Sequence, residues 1–177
     1  MSRIDNVGLV HIYCGDGKGK TTAAAGLAVR CAGGGGKVMF CQFLKGGNSG
    51  EREALKKIDG INVVPVPEQI KFVWNMSEEE RERAREYYSD KFEAVCTAAP
   101  DYDMLILDEI IPALRYDFVS IERLISFLNE KPAWLEVVLT GREPDERLVQ
   151  LADYVTEMRK LKHPYDKGIN RRKYIER

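Results

Sequence analysis

The stretch Cys14-Gly15-Asp16-Gly17-Lys18-Gly19-Lys20-Thr21-Thr22 limits what this chain can fold into more than any other. The β-branched apolar run Val7 to Tyr13 precedes it, and the alanine-rich Ala23-Ala24-Ala25-Gly26-Leu27-Ala28-Val29-Arg30 follows. The first predicts a buried strand and the second a helix. Strand, glycine loop, Lys-Thr and helix together make a phosphate site. The glycines let the backbone curl so that successive N–H groups point inward, and the helix N-terminus adds partial positive charge. Residues Gly15 to Thr22 are then the cradle of a nucleoside triphosphate, with Lys20 against phosphate oxygens and the Thr21 hydroxyl left to ligate Mg²⁺. The loop is one residue short of the common spacing, because Cys14 stands where the first glycine is usual. A glycine-rich turn without a ligand is the alternative reading.

At 177 residues, residues 1–177 have room for one α/β domain and its core. A net charge of −1 supplies no global field for nucleic acid or an anionic membrane, so neither partner is expected. No run approaches the roughly 20 apolar residues of a membrane span, and Ile4-Asp5-Asn6 leads into the first strand without a signal-peptide layout. Cys14, Cys31, Cys41 and Cys96 show no C-x-x-C spacing, and His11 and His163 are the only histidines that could supplement them. Free thiols in a reducing cytoplasm are expected rather than a zinc site.

Beyond the first helix, Gly33 to Gly36 supplies a turn, and Lys37 to Phe43 predicts a second strand. The polar loop Leu44 to Gly50 then lies beyond a strand's carboxyl end, where doubly wound sheets bind ligands. Lys45 in it is either a solvated lysine or a phosphate contact. Glu51 to Lys57 suits a short helix, and Ile61 to Val66 a third strand kept at an edge by Pro65. Ser77 with Glu80 forms a capping box that opens a helix through about Ala98, with Ala84, Tyr88, Phe92 and Val95 or Cys96 on its apolar face. The alternating Glu and Arg from Glu78 to Glu86 form a solvated face. Tyr102 to Glu109 is a short apolar strand ending in the carboxylates Asp108 and Glu109, an arrangement that sets an acid beside a triphosphate's Mg²⁺. Alone this is weak, but paired with Lys20-Thr21 it makes two strand ends converge on one site. Ser120 to Asn129 predicts a helix, Leu135 to Thr140 a strand ending in Gly141-Arg142, and Pro144 the start of a short helix. Val155 to Leu161 predicts a last strand and His163 to Arg177 a polar tail. The alternation predicts a mostly parallel sheet of about six strands flanked by helices.

These pieces together resemble the ATP:corrinoid adenosyltransferases, which have a single-domain phosphate-loop, RecA-like fold. The resemblance rests on Gly15 to Gly26, Gln42-Phe43-Leu44-Lys45-Gly46, Phe72-Val73-Trp74, Leu107-Asp108-Glu109, Leu139-Thr140-Gly141-Arg142, Ala152-Asp153 and Lys162 to Gly168. The short loop is itself a mark of that family. The resemblance implies transfer of the 5′-deoxyadenosyl group of ATP to a reduced Co(I) corrinoid, forming adenosylcobalamin or an adenosylated precursor and releasing triphosphate. It implies ATP lying in the reverse of the usual direction, Lys20, Thr21 and Glu109 as catalytic residues, and Lys45 and Arg142 as further ATP contacts. Mg²⁺ would be held by Thr21 and Glu109 with Asp108 orienting its shell. Phe72 and Trp74, core residues on pattern alone, would cover the lower corrinoid face if their segment is extended, excluding the axial ligand so that Co(II) is easier to reduce. A flavodoxin-like or other reductant and a homodimer are implied as well, and His163 is a structural or tail-docking residue because no base is needed. Two departures stand out. Asp16 replaces a frequent Asn, which alters a contact near the nucleotide. Only Met1 to Asn6 precede the first strand, so an N-terminal helix over the corrinoid is not expected and the site would be more open. The alternatives are an ordinary phosphate-loop kinase or NTPase, and a non-catalytic corrinoid- or nucleotide-binding protein.

Overall fold

The computed structural model describes residues 7–172 and 175, apart from Asn48, Gln69, Ile70, Phe72 and Arg171. The expectations for Phe72 and for Met1 to Asn6 therefore lie outside the described residues. Six strands form one sheet, β1 (Val10–Cys14), β2 (Val38–Gln42), β3 (Ile61–Val63), β4 (Met104–Asp108), β5 (Glu136–Thr140) and β6 (Tyr154–Glu157). Their spatial order is β3-β2-β4-β5-β1-β6, and every neighbouring pair is parallel. The phosphate-loop expectation is met, with one strand, β5, between the loop-bearing β1 and the acid-bearing β4. Register sets Gln42 beside Asp108 and Tyr13 beside Thr140, so four strand ends lie level.

Parallel strands need crossover helices, which cover both faces of the sheet, and so β2 and β4 are buried at every position. On β4 the alternation splits the core. Met104 and Ile106 join Ala24, Ala28, Phe40 and Val138 beneath α1 (Lys20–Gly33) and α2 (Gly50–Leu55). Leu105 and Leu107 join the opposite layer under α3 (Glu78–Ala98), α4 (Ile110–Arg115), α5 (Ile121–Glu130) and α6 (Glu146–Leu151). Ala24 and Ala28 are one helical turn apart and fully buried, so α1 lies close on the sheet and its first turn stays fixed at the loop. The buried Tyr88, Phe92, Val95 and Cys96 follow the predicted apolar face of α3, with Ala84 only half-buried.

Three differences from the expectations have local causes. Strand β3 stops at Val63, and Val64 still donates to the Phe40 carbonyl, but Pro65 has no N–H with which to continue. Strand β6 ends at Glu157 because Met158 turns onto the phosphate loop, donating to the Cys14 carbonyl and accepting from the Gly17 N–H. The short α4 was not expected. Its Pro112 sits in the first turn, where a missing N–H costs no helical hydrogen bond.

All four cysteines are free, with Cys14, Cys41 and Cys96 buried. Burial pushes the Cys41 thiol up to about 11 and Cys96 up to about 12, which keeps both unreactive. No helix among the described residues is long and apolar enough to cross a membrane.

The capping box of α3 is complete, since Ser77 Oγ accepts from the Glu80 N–H and the Glu80 carboxylate accepts from the Ser77 N–H. Ser77→Ala is expected to lower unfolding free energy by about 1 kcal/mol, read as a shifted urea midpoint with an unchanged slope.

Candidate active site

The loop between β1 and α1 is shaped as much from outside as by its own sequence. Gly15 and Gly19 have φ of 96° and 115°, a region that side chains rarely enter. A Cβ on Gly15 would lie 2.4 Å from the Met158 carbonyl oxygen, and one on Gly17 would lie 2.6 Å from it. The glycines are thus required by the chain that crosses behind them. Asp16 Oδ1 accepts from the Lys160 N–H at 2.9 Å, and that bond holds the Asp16 carboxyl below the usual carboxylate range. Asp16 thus ties the loop to the segment after β6.

Helix α1 starts at Lys20 with no side-chain cap, so its first N–H groups are available to an anion. The Lys20 ammonium donates to the Gly15 and Gly17 carbonyls, each at 2.8 Å. Burial pulls its pKa down, with Glu109 acting in the other direction.

Three strand ends, of β2, β4 and β5, meet at Asp108, which is fully buried. Its Oδ1 accepts from the Thr140 hydroxyl at 2.7 Å, and its Oδ2 from Gln42 Nε2 at 2.8 Å and Lys45 Nζ at 3.1 Å. Glu109, the first residue past β4, adopts φ 59°, which costs a side-chain-bearing residue roughly 1–2 kcal/mol. Its N–H donates to Thr140 Oγ1 at 2.9 Å. Thr140 thus fixes Asp108 and the strained Glu109 backbone with one hydroxyl. Burial pushes the Glu109 carboxyl up, opposed by Lys45 and reinforced by Asp108.

Lys45 is not a solvated loop residue. Its ammonium lies 3.0 Å from Thr21 Oγ1, 3.1 Å from Asp108 Oδ2 and 3.7 Å from Glu109 Oε1. Burial works against this charge, but Asp108 and Glu109 outweigh it and raise the lysine pKa. Thr21 was expected to have a free hydroxyl; here it accepts from Lys45. Two carboxylates and a hydroxyl form a hard-oxygen set already holding a cation. That suits Mg²⁺, which takes one or two carboxylates and completes its shell with phosphates and water. Among the described residues there is no group of three or more His, Cys, Asp or Glu for an all-protein metal cage.

A cavity of about 910 Å³ lies over this machinery. Asp16, Gly17, Lys18, Gly19, Lys20, Thr21, Thr22, Lys45, Glu109 and Arg142 all line it. Gly15 backs the loop against Met158, and Asp108 sits beneath the floor. The segment expected as a polar tail supplies the opposite wall, including His163, Tyr165 and Asp166. His163 Nδ1 accepts from the Tyr165 N–H at 3.1 Å, capping a 3-10 turn over Pro164–Lys167, in keeping with a structural role.

Trp74 is not among the lining residues. It belongs to a 3-10 turn over Val73–Asn75, so the condition of an extended segment is not met there. Val73 is buried and anchors the turn, whereas Trp74 is 69% exposed, which excludes a core-packing role. Gln42, Thr140, Met158 and Lys160 received no role from the sequence. The first two are polar residues closing apolar strands, a faint signal that needs the strand order before it has a meaning.

The family model described as ATP:corrinoid adenosyltransferase BtuR/CobO/CobP matches residues 6–176. The chain is 32% identical to the corrinoid adenosyltransferase of Pseudomonas aeruginosa, over 97% of this chain and 85% of that one. It is 35% identical to the corrinoid adenosyltransferase of Escherichia coli, over 93% and 83%. Among solved structures, the cytoplasmic domain of the Thermomonospora curvata type VII secretion ATPase EccC matches with a TM-score of 0.50 and 14% identity, over 96% of this chain and 22% of that one, a likeness of fold alone.

Thr140→Val keeps the shape of the side chain but removes the donor to Asp108 and the acceptor for Glu109. It is expected to cost about 1–3 kcal/mol of stability, the penalty for unsatisfied buried polar groups, with Thr140→Ser recovering most of it in chemical denaturation.

Proposed function

The chain belongs to the ATP:corrinoid adenosyltransferase family, and from that premise we propose how its own residues carry the transfer of adenosyl from ATP to a corrinoid. The observation that supports the reading is the convergence of the glycine loop, Lys20, Thr21, Lys45, Glu109 and Arg142 on one cavity. In this reading a Co(I) corrinoid attacks the 5′ carbon of ATP. The electron pair of cobalt becomes the Co–C bond, the C5′–O bond breaks, and its electrons leave on the triphosphate. The chain's task is to stabilise that departing charge. The loop N–H groups and Lys20, released from the Gly15 and Gly17 carbonyls, are donors for it, joined by Lys45 and Arg142 from the neighbouring strand ends. No proton has to be abstracted.

Thr21 and Glu109 are the proposed Mg²⁺ ligands, with Asp108 holding the Glu109 backbone in place through Thr140. The metal would neutralise charge on the leaving triphosphate. Trp74 is proposed to cover the lower corrinoid face, a role compatible with its exposure, and Phe72 is assigned the same role from its motif alone. The reading extends to residues 1–177 as one adenosyltransferase domain, supported by a family match that spans nearly all of them. A flavodoxin-like reductant and a homodimer are carried by the resemblance. A reducing, cytoplasmic setting is supported by the free cysteines.

Anaerobic incubation with ATP and chemically reduced cobalamin or cobinamide, followed by chromatography, tests the chemistry. Adenosylated corrinoid and triphosphate are expected in equal amounts, whereas ADP or orthophosphate as the product of ATP would overturn it. Lys20→Ala should lower kcat/KM for ATP by roughly a hundredfold or more; near-normal turnover at saturating ATP would remove Lys20 from the mechanism. Trp74→Ala should lose far more activity when assayed from Co(II) with a protein reductant than from pre-formed Co(I). Equal losses in both assays would exclude the lower-face role.

A further inference from the structure

We propose that Lys45 is a built-in occupant of the metal position, whose ammonium must move onto the triphosphate before a divalent cation can be held by Thr21 and Glu109. The inference rests on the metal assignment proposed above and concerns what fills that position without nucleotide. Three oxygens, one from the first turn of α1 and two from the end of β4 and the residue after it, surround one ammonium: Thr21 Oγ1 at 3.0 Å, Asp108 Oδ2 at 3.1 Å and Glu109 Oε1 at 3.7 Å. Its place is built into the backbone, since Leu44 just before it adopts φ 52°, a conformation that disfavours a leucine. The other contacts of Asp108, from Gln42 and Thr140, are neutral, so Lys45 is the cation paired with it among the described residues.

Two cations cannot share so small an oxygen cluster, because their repulsion grows steeply at such distances away from bulk water. Loading a divalent ion therefore requires Lys45 to leave, and leaving exposes its charge to a partly buried setting unless another anion receives it. The side chain is one-third exposed and lines the cavity beside Lys20 and Thr22, so a triphosphate in the loop is within its surroundings. Metal and nucleotide consequently enter together. The empty enzyme resists a bare metal ion, which keeps Asp108 and Glu109 neutralised and the loop ready for the complete substrate. Exchange of the ammonium adds a coupling between the two ligands beyond their own chelation.

The test is a titration of the nucleotide-free chain with Mn²⁺, with free ion read by electron paramagnetic resonance. Wild type should bind weakly. Lys45→Met keeps the aliphatic stem and removes the charge, so it should tighten Mn²⁺ by at least about tenfold, the effect of deleting a unit charge a few ångströms from the ion. Adding Glu109→Gln to that variant should abolish the gain. Lys45→Gln, which retains a donor for Asp108, serves if the methionine variant does not fold. Mn²⁺ affinity no higher than wild type in either substituted chain overturns the proposal, as does a gain that survives Glu109→Gln. The single variant Glu109→Gln separates the two ideas. Loss of Mn²⁺·ATP binding there, with no gain from Lys45 substitution, leaves the metal assignment standing and removes only the role of Lys45. Unchanged Mn²⁺·ATP binding there overturns both.

Discussion

A fully buried carboxylate at the centre of the sheet's carboxyl edge holds the site together. Asp108 on β4 draws Gln42 from β2, Thr140 from β5 and Lys45 from the loop after β2. An ionised carboxylate without such partners would carry a desolvation penalty of several kcal/mol. The strand ends are thus obliged to stay level. Any slip of register between β2 and β4 would separate Gln42 from Asp108 and move alternate core residues to the wrong face. The same carboxylate fixes the geometry of chemistry it does not itself touch. Through Thr140 it steadies Glu109 in a left-handed conformation, and through Lys45 it sets a charge against Thr21.

The phosphate loop depends on a second constraint from the opposite side. Met158 and Lys160, leaving β6, lie against Gly17 and Asp16 and close the space that a longer or bulkier loop would need. The glycines at 15 and 17 and the early end of β6 both answer to the contact with Met158. The chain then continues as the far wall of the cavity, where His163 caps its own turn. Loop, edge strand and C-terminal segment are therefore joined around one cavity. Leu44 and Glu109 both carry backbone strain at this edge, where packed strands over-determine the backbone.

Much of the site could be read from the residues because its chemistry is local. Gly15 to Thr22 carry the loop in consecutive positions, and the capping box, the buried stripe of α3 and the strand into Asp108 rest on short-range periodicity. Thr140 and Gln42 could not be read in this way. Each is a polar residue ending an apolar run, and each acquires a role only once β2, β4 and β5 are neighbours. Helix α4 was hidden by a proline whose cost vanishes in a first turn. For Trp74 the pattern alone favours a core position and the family resemblance an exposed one; the 3-10 turn that exposes it sides with the second.

The sequence by itself determined the phosphate loop, the acidic strand end, the alternation that builds a parallel sheet and the family to which these belong, because each is written in adjacent residues whose spacing matches a backbone period. Only the tertiary structure decided which polar side chains share Asp108, why Asp16 is tolerated in the loop, and that Lys45 rather than solvent meets Thr21 and Glu109. Those outcomes depend on strand order and register, which bring together residues such as Thr21, Lys45, Asp108 and Thr140 from four separate stretches of the chain. Buried charge, which must be neutralised wherever the fold places it, then selects the partners.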